Sequence, residues 1–169
     1  MRYLKSILFL VLVCLLMMGS RTKEIRLTEG IQPGNLAPEI NRQDIDLKGE
    51  KFVLLQFWAG YDARSRMVNV QMYHAVSALK TKDIRLVSVS LDESKAVFEG
   101  IVKAERLDPA TQFNDPQGKK SDSFKAYRLN SKFTNWLINP EGVIVAKNVS
   151  PKEIPGYINR YRSVTQGVS

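Results

Sequence analysis

Residues 52–80 read FVLLQFWAGYDARSRMVNVQMYHAVSALK, and this stretch decides the fold class. Residues 52–58 are almost wholly apolar and rich in strand-forming types, which is typical of a strand covered on both faces of a parallel or mixed sheet. From Asp62 to Lys80 the apolar spacing becomes helical, and one stripe contains Val68, Met72, Ala75, Val76 and Leu79. A buried strand that leads directly into a helix predicts an α/β domain.

The rest of the chain extends this pattern. We predict a second strand over 84–91, a helix that Asp92 caps and that ends near Glu105, and a short extended piece over 111–114. A short helix over 121–127, a hairpin of 134–138 with 143–146 around the turn 139–142, and a last helix from Pro151 to Arg162 follow. The order predicts a central mixed sheet with helices on both faces, closed by a C-terminal β-hairpin and helix.

The N-terminus has the pattern of a targeting segment. Arg2 and Lys5 precede the apolar run 7–18, which is short for a membrane span of about 20 residues and typical of a signal peptide. Lipidation at Cys14 would require a small residue before it, and Val13 is not small. We therefore expect residues 1–20 to be a signal peptide or an N-terminal anchor, 21–33 a tether, and 34–165 the folded domain. The expected location is the bacterial periplasm, or the membrane with the domain facing the periplasm.

Composition excludes several classes of site. The chain has 44% hydrophobic residues, too many for a disordered protein, and a single cysteine and a single histidine. A disulfide scaffold, a CxxC redox centre, a cysteine-rich zinc site and any site with two imidazoles are therefore excluded. The net charge of +8 comes from bases spread among acids, with Lys119-Lys120 the nearest approach to a cluster, so we expect no nucleic-acid partner. We expect no cofactor either.

Four short motifs occur in order along the chain. They are GNLAP at 34–38, LQFWA at 55–59, VSVSLD at 87–92 and WLINPEG at 136–142. They resemble the G-x-x-A-P, V-N-F-W-A, V-x-V-S-x-D and F-L-I-D-x-x-G motifs of the thioredoxin superfamily. The resemblance is to the envelope-tethered TlpA/ResA-like thiol–disulfide oxidoreductases and to the alkyl hydroperoxide reductase/thiol-specific antioxidant group. It implies a thioredoxin-like fold.

The departures from the family pattern fall at its reactive groups. The family reads W-A-x-W-C-x-x-C-R where this chain reads WAGYDARSR at 58–66, so Asp62 and Ser65 stand at the two cysteine positions. The family's cis-proline aligns with Phe133, and there we expect a trans peptide. Thiol–disulfide exchange needs a thiolate and a resolving thiol, so the resemblance implies a fold without that chemistry. For Asp62 we expect a role as helix N-cap.

Other catalytic arrangements fit the sequence poorly. A triad of Asp62, Ser65 and His74 fails because Ser65 and His74 are nine residues apart on one predicted helix, about 13 Å along its axis. We expect His74 at the helix surface. A metal site from Asp62, Asp92 and Asp115 has no supporting motif, so no metal is expected.

The resemblance implies a binding surface where active relatives receive extended peptides. Its expected residues are Tyr61, Asp62, Arg64, Arg66, Lys132 and Phe133; Trp58 either joins them or lies in the core. The first hypothesis is a redox-inactive binding or scaffold module of the cell envelope, whose partner is another envelope protein or an extended peptide. A second is an enzyme: an antioxidant-family redox protein that uses a partner's thiols in envelope redox homeostasis, or a hydrolase. A third is a structural subunit tethered to the membrane by residues 1–20.

Overall fold

The structure is a computed structural model that describes residues 27–79, 81–130 and 132–166. The strands are β1 Phe52–Trp58, β2 Ile84–Ser90, β3 Gln112–Asn114, β4 Asn135–Ile138 and β5 Ile144–Lys147. The α-helices are α1 Ala63–Ala78, α2 Lys95–Ala104, α3 Asp122–Ala126 and α4 Ile154–Gln166, with single 3-10 turns at Pro109–Thr111 and Gly118–Lys120. The predicted order of elements is confirmed.

The strands form one mixed sheet with the order β3-β2-β1-β4-β5. The central strand β1 pairs in parallel with β2, from Phe52 opposite Ile84 to Trp58 opposite Ser90. On its other side β1 pairs antiparallel with β4, and the hairpin β4–β5 completes that edge. All seven residues of β1 are buried, as their apolar character predicts.

Alternate residues of β1 enter two different cores. Val53, Leu55 and Phe57 face a core that contains Phe124 and Tyr127 from the α3 region. Phe52 and Leu54 face the opposite core, to which α1 and α4 contribute Met72, Ile154 and Ile158. Successive strand residues point to opposite faces, so a strand buried on both sides must be apolar throughout. The predicted mixed sheet with helices on both faces is confirmed.

Part of the segment 21–33, assigned to a tether, packs on the domain. Ile31 belongs to the core, its carbonyl oxygen accepts the indole N–H of Trp136 at 3.1 Å, and Glu29 bridges to Leu36. The packed domain therefore includes residues before 34. No local pattern marks this boundary because the partner indole is more than a hundred residues away in the chain.

Two predicted helix starts are wrong in position. Ser94, not Asp92, caps α2 by accepting the N–H of Val97. The last helix begins at Ile154 instead of Pro151. Pro155 occupies its first turn, where a residue without an N–H costs no helical hydrogen bond.

Within the described ranges, no helix combines the length and the apolar character of a membrane span. Residues 1–20, where an anchor or signal peptide is expected, lie outside these ranges.

Candidate functional site

Asp62 caps α1, as the sequence predicts. It has an extended backbone after β1, and its carboxylate oxygen Oδ1 accepts the N–H of Ser65 at 2.7 Å. An aspartate here satisfies one of the unpaired N–H groups of the first turn and places a negative charge at the positive end of the helix. The residue at the position of the first family cysteine therefore stabilises the helix start.

Ser65 is buried and has local partners for both hydrogen-bonding roles. Its hydroxyl accepts the N–H of Ala59 at 3.2 Å and donates to the carbonyl of Asp62 at 3.0 Å. These bonds join the end of β1 to the first turn of α1. His74 is exposed on the same helix, as expected. The hydroxyl at the second cysteine position is thus used in the loop structure.

Asp92 holds the same loop from β2, a role that sequence reasoning missed. Its carboxylate accepts the N–H of Gly60 at 2.8 and 2.9 Å and the hydroxyl of Ser90 at 2.7 Å. The side chain is buried, so these donors replace the water that it loses on folding. No local signal identifies this role, since the partner glycine lies 32 residues earlier in the sequence.

Two accessible aromatic rings meet beside this loop. The ring centroids of Tyr61 and Phe133 are 6.3 Å apart, and Tyr61 is 62% exposed while Phe133 is half-buried. Trp58 is completely buried, so it belongs to the core and not to the surface. Among the described residues all peptide bonds are trans, those of Phe133 included.

A cleft of about 110 Å³ runs beside the rings. Asp62 and Phe133 both line it, as do Arg64, Ser65 and Lys132. Arg66 points elsewhere: its guanidinium binds the carboxylate of Glu105 near the C-terminal end of α2. The structure therefore brings five of the six expected residues together. We call Tyr61, Asp62, Arg64, Lys132 and Phe133 the Tyr61–Phe133 surface.

Gln56 is a further lining residue of the cleft that sequence reasoning missed. Its side chain is 1% exposed, and its Nε2 donates to the carbonyl of Phe57 at 2.6 Å. The other atom of the amide, Oε1, accepts no hydrogen bond from any described residue. The signal in the sequence is a single polar residue within an apolar strand.

A second, larger hollow of about 420 Å³ is lined by Tyr61. Val97, Glu93 and Lys119 line it, and the Lys119 ammonium is 5.8 Å from the centre of the Tyr61 ring. Although most of the side chain is exposed, partial desolvation raises the pKa of the Tyr61 hydroxyl, and the carboxylates of Asp92, Asp62 and Glu93 raise it further. Tyr61 thus lines this hollow and contacts Phe133 of the cleft, with carboxylates near its hydroxyl and an ammonium near its ring.

The residues of this site do not form a metal centre in the part of the chain that the structure describes. No three His, Cys, Asp or Glu side chains there are grouped closely enough to hold a metal ion. The carboxylates of Asp62 and Asp92 bind backbone N–H groups instead.

Solved structures provide the comparison with known proteins. A thioredoxin-like protein from Parabacteroides distasonis is 41% identical, with a TM-score of 0.75 over 79% of this chain and 99% of that one. A thiol–disulfide oxidoreductase from Bacteroides fragilis is 24% identical, with a TM-score of 0.56 over 67% of this chain and 82% of that one. StoA from Bacillus subtilis is 20% identical, with a TM-score of 0.55 over 66% and 84%. At these levels of identity, the last two structures show a similar fold and nothing more.

Neither a scan against protein-family models nor a search of curated proteins finds a match. The Parabacteroides structure is matched along nearly its whole length, and its identity to this chain is well above that of the two relatives that share only the fold. We conclude that the chain belongs to the thioredoxin-like proteins.

Proposed function

We propose that this chain is an exported thioredoxin-like protein that does not exchange disulfides and that binds another envelope protein through the Tyr61–Phe133 surface. The observation that carries the proposal is the chemistry at positions 62 and 65. A carboxylate and a hydroxyl replace the two thiols, and both are engaged in hydrogen bonds of the loop. Exchange needs one thiolate that attacks sulfur and a second thiol that resolves the mixed disulfide.

The remaining cysteine does not supply this pair. Cys14 is the only cysteine of the chain and lies in the N-terminal apolar run, so the domain has no thiol of its own. The basic residues and apolar run of residues 1–20 support export. Removal of this segment would leave a protein without any thiol.

The exposed aromatic pair supports a binding role. Large side chains exposed beside a concave surface are the usual energetic centres of protein interfaces, and aromatic residues and arginine are enriched there. Tyr61 is one of the few large apolar or aromatic side chains that are strongly exposed in the described residues. Its ring lines one depression and contacts Phe133, which lines the other, so a partner in either depression can contact the aromatic pair.

An insulin-reduction assay tests the loss of redox activity. The full chain and its Cys14→Ser variant are compared with dithiothreitol alone, and we expect no turnover above that background. The Asp62→Cys/Ser65→Cys variant serves as the positive control for a thiol pair at this site. Turnover by the Cys14→Ser variant would reject the proposal and favour an enzyme that works without thiols of its own.

Site-specific photo-crosslinking in the envelope tests the binding role. The crosslinker is placed at Tyr61, at Phe133 and, as a control, at Val164, which is 63% exposed on α4. We expect the same partner at the first two positions and not at the third. If neither Tyr61 nor Phe133 gives a crosslinked product, or if all three positions give the same product, binding at this surface is contradicted.

A further inference from the structure

The basic residues are spread along the chain, but among the described residues the largest local surplus of positive charge lies in the segment 119–132. Residues 119–132 contain five basic residues and one acid, Asp122, and so carry half of the formal net charge of +8. All five bases are exposed, and Asp122 pairs with Lys125 at 3.5 Å, which leaves a surplus of positive charge around α3. A local surplus of this kind selects for partners of opposite charge.

Both ends of this basic segment meet the Tyr61–Phe133 surface. At one end, the Lys119 ammonium lies 5.8 Å from the centre of the Tyr61 ring. At the other end, Lys132 precedes Phe133 and lines the cleft together with Arg64. Within the described residues, none of these three cations takes part in an ion pair with Asp or Glu.

Three carboxylates face the same region, and two of them are already engaged. Asp62 caps α1, and the buried Asp92 binds the N–H of Gly60 and the hydroxyl of Ser90. Glu93 is exposed at the edge of the hollow. The exposed charges around the aromatic pair are therefore the cations Lys119, Lys132 and Arg64 and the carboxylate of Glu93, so the accessible charge is mostly positive.

The cleft also has an unused acceptor. The amide of Gln56 is oriented by its bond from Nε2 to the carbonyl of Phe57, so its buried Oε1 remains without a donor. Asp62, which is partly exposed, also lines the cleft and uses Oδ1 for the capping bond to Ser65. Buried acceptors are almost always paired, so Gln56 Oε1 favours a cleft occupant that carries N–H or O–H donors.

We propose that the Tyr61–Phe133 surface binds an extended acidic segment of a protein, with an apolar or aromatic side chain placed against the two rings. Carboxylates of the segment would pair with Lys119, Lys132 and Arg64, while its N–H groups would face the acceptors of the cleft. A flat membrane surface can approach the cations but does not enter a cleft of about 110 Å³, whereas an extended segment can place backbone and a side chain there, which favours a protein segment over a membrane surface. The inference names the partner chemistry of the proposed binding function and rests on it.

Fluorescence anisotropy tests this inference with the full chain in mild detergent. The probes are labelled peptides of about ten residues with one central phenylalanine, flanked in one by Asp and Glu, in the second by Asn and Gln, and in the third by Lys. We expect saturable binding of the acidic peptide only. We also expect its affinity to fall as the salt concentration rises from about 50 to about 200 mM.

Charge-reversal variants distinguish the effect of the local cations on binding from the effect of the net charge of the protein. We expect Lys119→Glu/Lys132→Glu to weaken binding of the acidic peptide by about tenfold or more. Lys103→Glu/Lys152→Glu is the matched control, because both lysines are exposed and the net charge changes equally. Tyr61→Ala should also weaken binding. Equal losses in the two charge-reversal variants, or equal binding of the acidic and neutral peptides, would overturn the inference.

Vesicles that contain phosphatidylglycerol test the membrane alternative. If Lys119→Glu/Lys132→Glu weakens association with the vesicles and leaves peptide binding unchanged, the inference is wrong. The inference about an acidic partner segment and the proposed redox-inactive function can fail separately. A crosslinked partner that contacts Tyr61 through a segment without acidic residues would overturn only the inference, whereas insulin turnover would reject only the redox-inactive function.

Discussion

Gly60 lies so close to Ile101 that a Cβ atom at residue 60 would be 2.6 Å from the Cδ1 methyl group of Ile101. The same Cβ would be 3.0 Å from Asp92 Oδ1 and 3.2 Å from Val97 Cγ1. The loop between β1 and α1 is therefore pressed against α2 and the end of β2. A Cβ at residue 60 would displace these neighbours, so glycine fits here because of space.

Gly60→Ala should destabilise the fold by about 1–3 kcal/mol, because three neighbouring groups must move to accept the methyl group. Urea denaturation measures the change in the free energy of unfolding. Gly100→Ala in α2 is the matched control, since no atom lies within 4 Å of its Cβ position. In the interior of a helix this replacement should stabilise by about 0.5–1 kcal/mol. Stabilisation by both variants would contradict the described packing of the loop.

Asp92→Asn should destabilise the fold by about 1–3 kcal/mol, because an amide N–H₂ would replace an oxygen that accepts the Gly60 N–H in a buried position. Glu93→Gln changes the neighbouring carboxylate in the same way but on an exposed side chain, and should change stability by less than about 0.5 kcal/mol. Urea denaturation of the two variants gives the comparison. Equal effects would mean that Asp92 does not anchor the loop.

Asp62→Ala and Asp62→Ser together test the capping role. Alanine removes the acceptor for the Ser65 N–H and should cost about 1 kcal/mol of stability, whereas serine is itself a good N-cap and should remain near wild type. Thermal and urea unfolding both report the difference. If serine and alanine have the same effect, capping is not the structural role of Asp62.

Asp62→Cys/Ser65→Cys in a Cys14→Ser background should place a dithiol at the helix start. The first-turn N–H groups and the positive end of α1 stabilise a thiolate, so the pKa of the thiol at position 62 should fall below its ordinary value of about 8.5. The pH dependence of alkylation by iodoacetamide measures it. Asp62→Cys alone is the control without a second thiol. Ordinary pKa values for both thiols of the double variant would mean that position 62 is not at the helix start.

Tyr61 should titrate above its ordinary pKa, chiefly because of the partial desolvation of its hydroxyl and then because of Asp92, Asp62 and Glu93. A raised pKa in the folded state means that the neutral hydroxyl favours folding. This contribution is complete below about pH 10 and is lost as the pH rises through the pKa of the folded protein. Asp62→Asn/Glu93→Gln should lower the pKa of Tyr61, as followed by the NMR shift of its ring carbon Cζ. Asp122→Asn is the control and should leave that pKa unchanged.

Local patterns in the sequence account for most of the fold. The apolar run 52–58 predicts a strand buried on both faces, and the spacing after Asp62 predicts the helix that this residue caps. These features depend on contacts between residues close together in the chain, or on the periodicity with which a strand or helix is buried. The capping role of Asp62 belongs here, because its hydrogen-bond partner is only three residues away.

The candidate site was only partly predictable. The motif alignment places Tyr61, Asp62 and Phe133 in one region but also assigns Arg66 to the surface, and the helix pattern assigns Asp92 to a helix cap. In the structure Arg66 binds Glu105, and Asp92 binds Gly60. In each case the partner lies more than 30 residues away, and nothing in the local pattern identifies it.

By itself, the sequence determined the order of strands and helices, the absence of a thiol pair, and a helix start that a carboxylate can cap. Only the tertiary structure decided which side chains surround Tyr61, how Ser65 and Asp92 hold the loop, and that both ends of the basic segment reach the aromatic pair. The physical reason is the range of the interactions. Burial periodicity and capping act within a few residues, whereas ring contacts, charge pairs and shared hydrogen bonds depend on packing between distant parts of the chain.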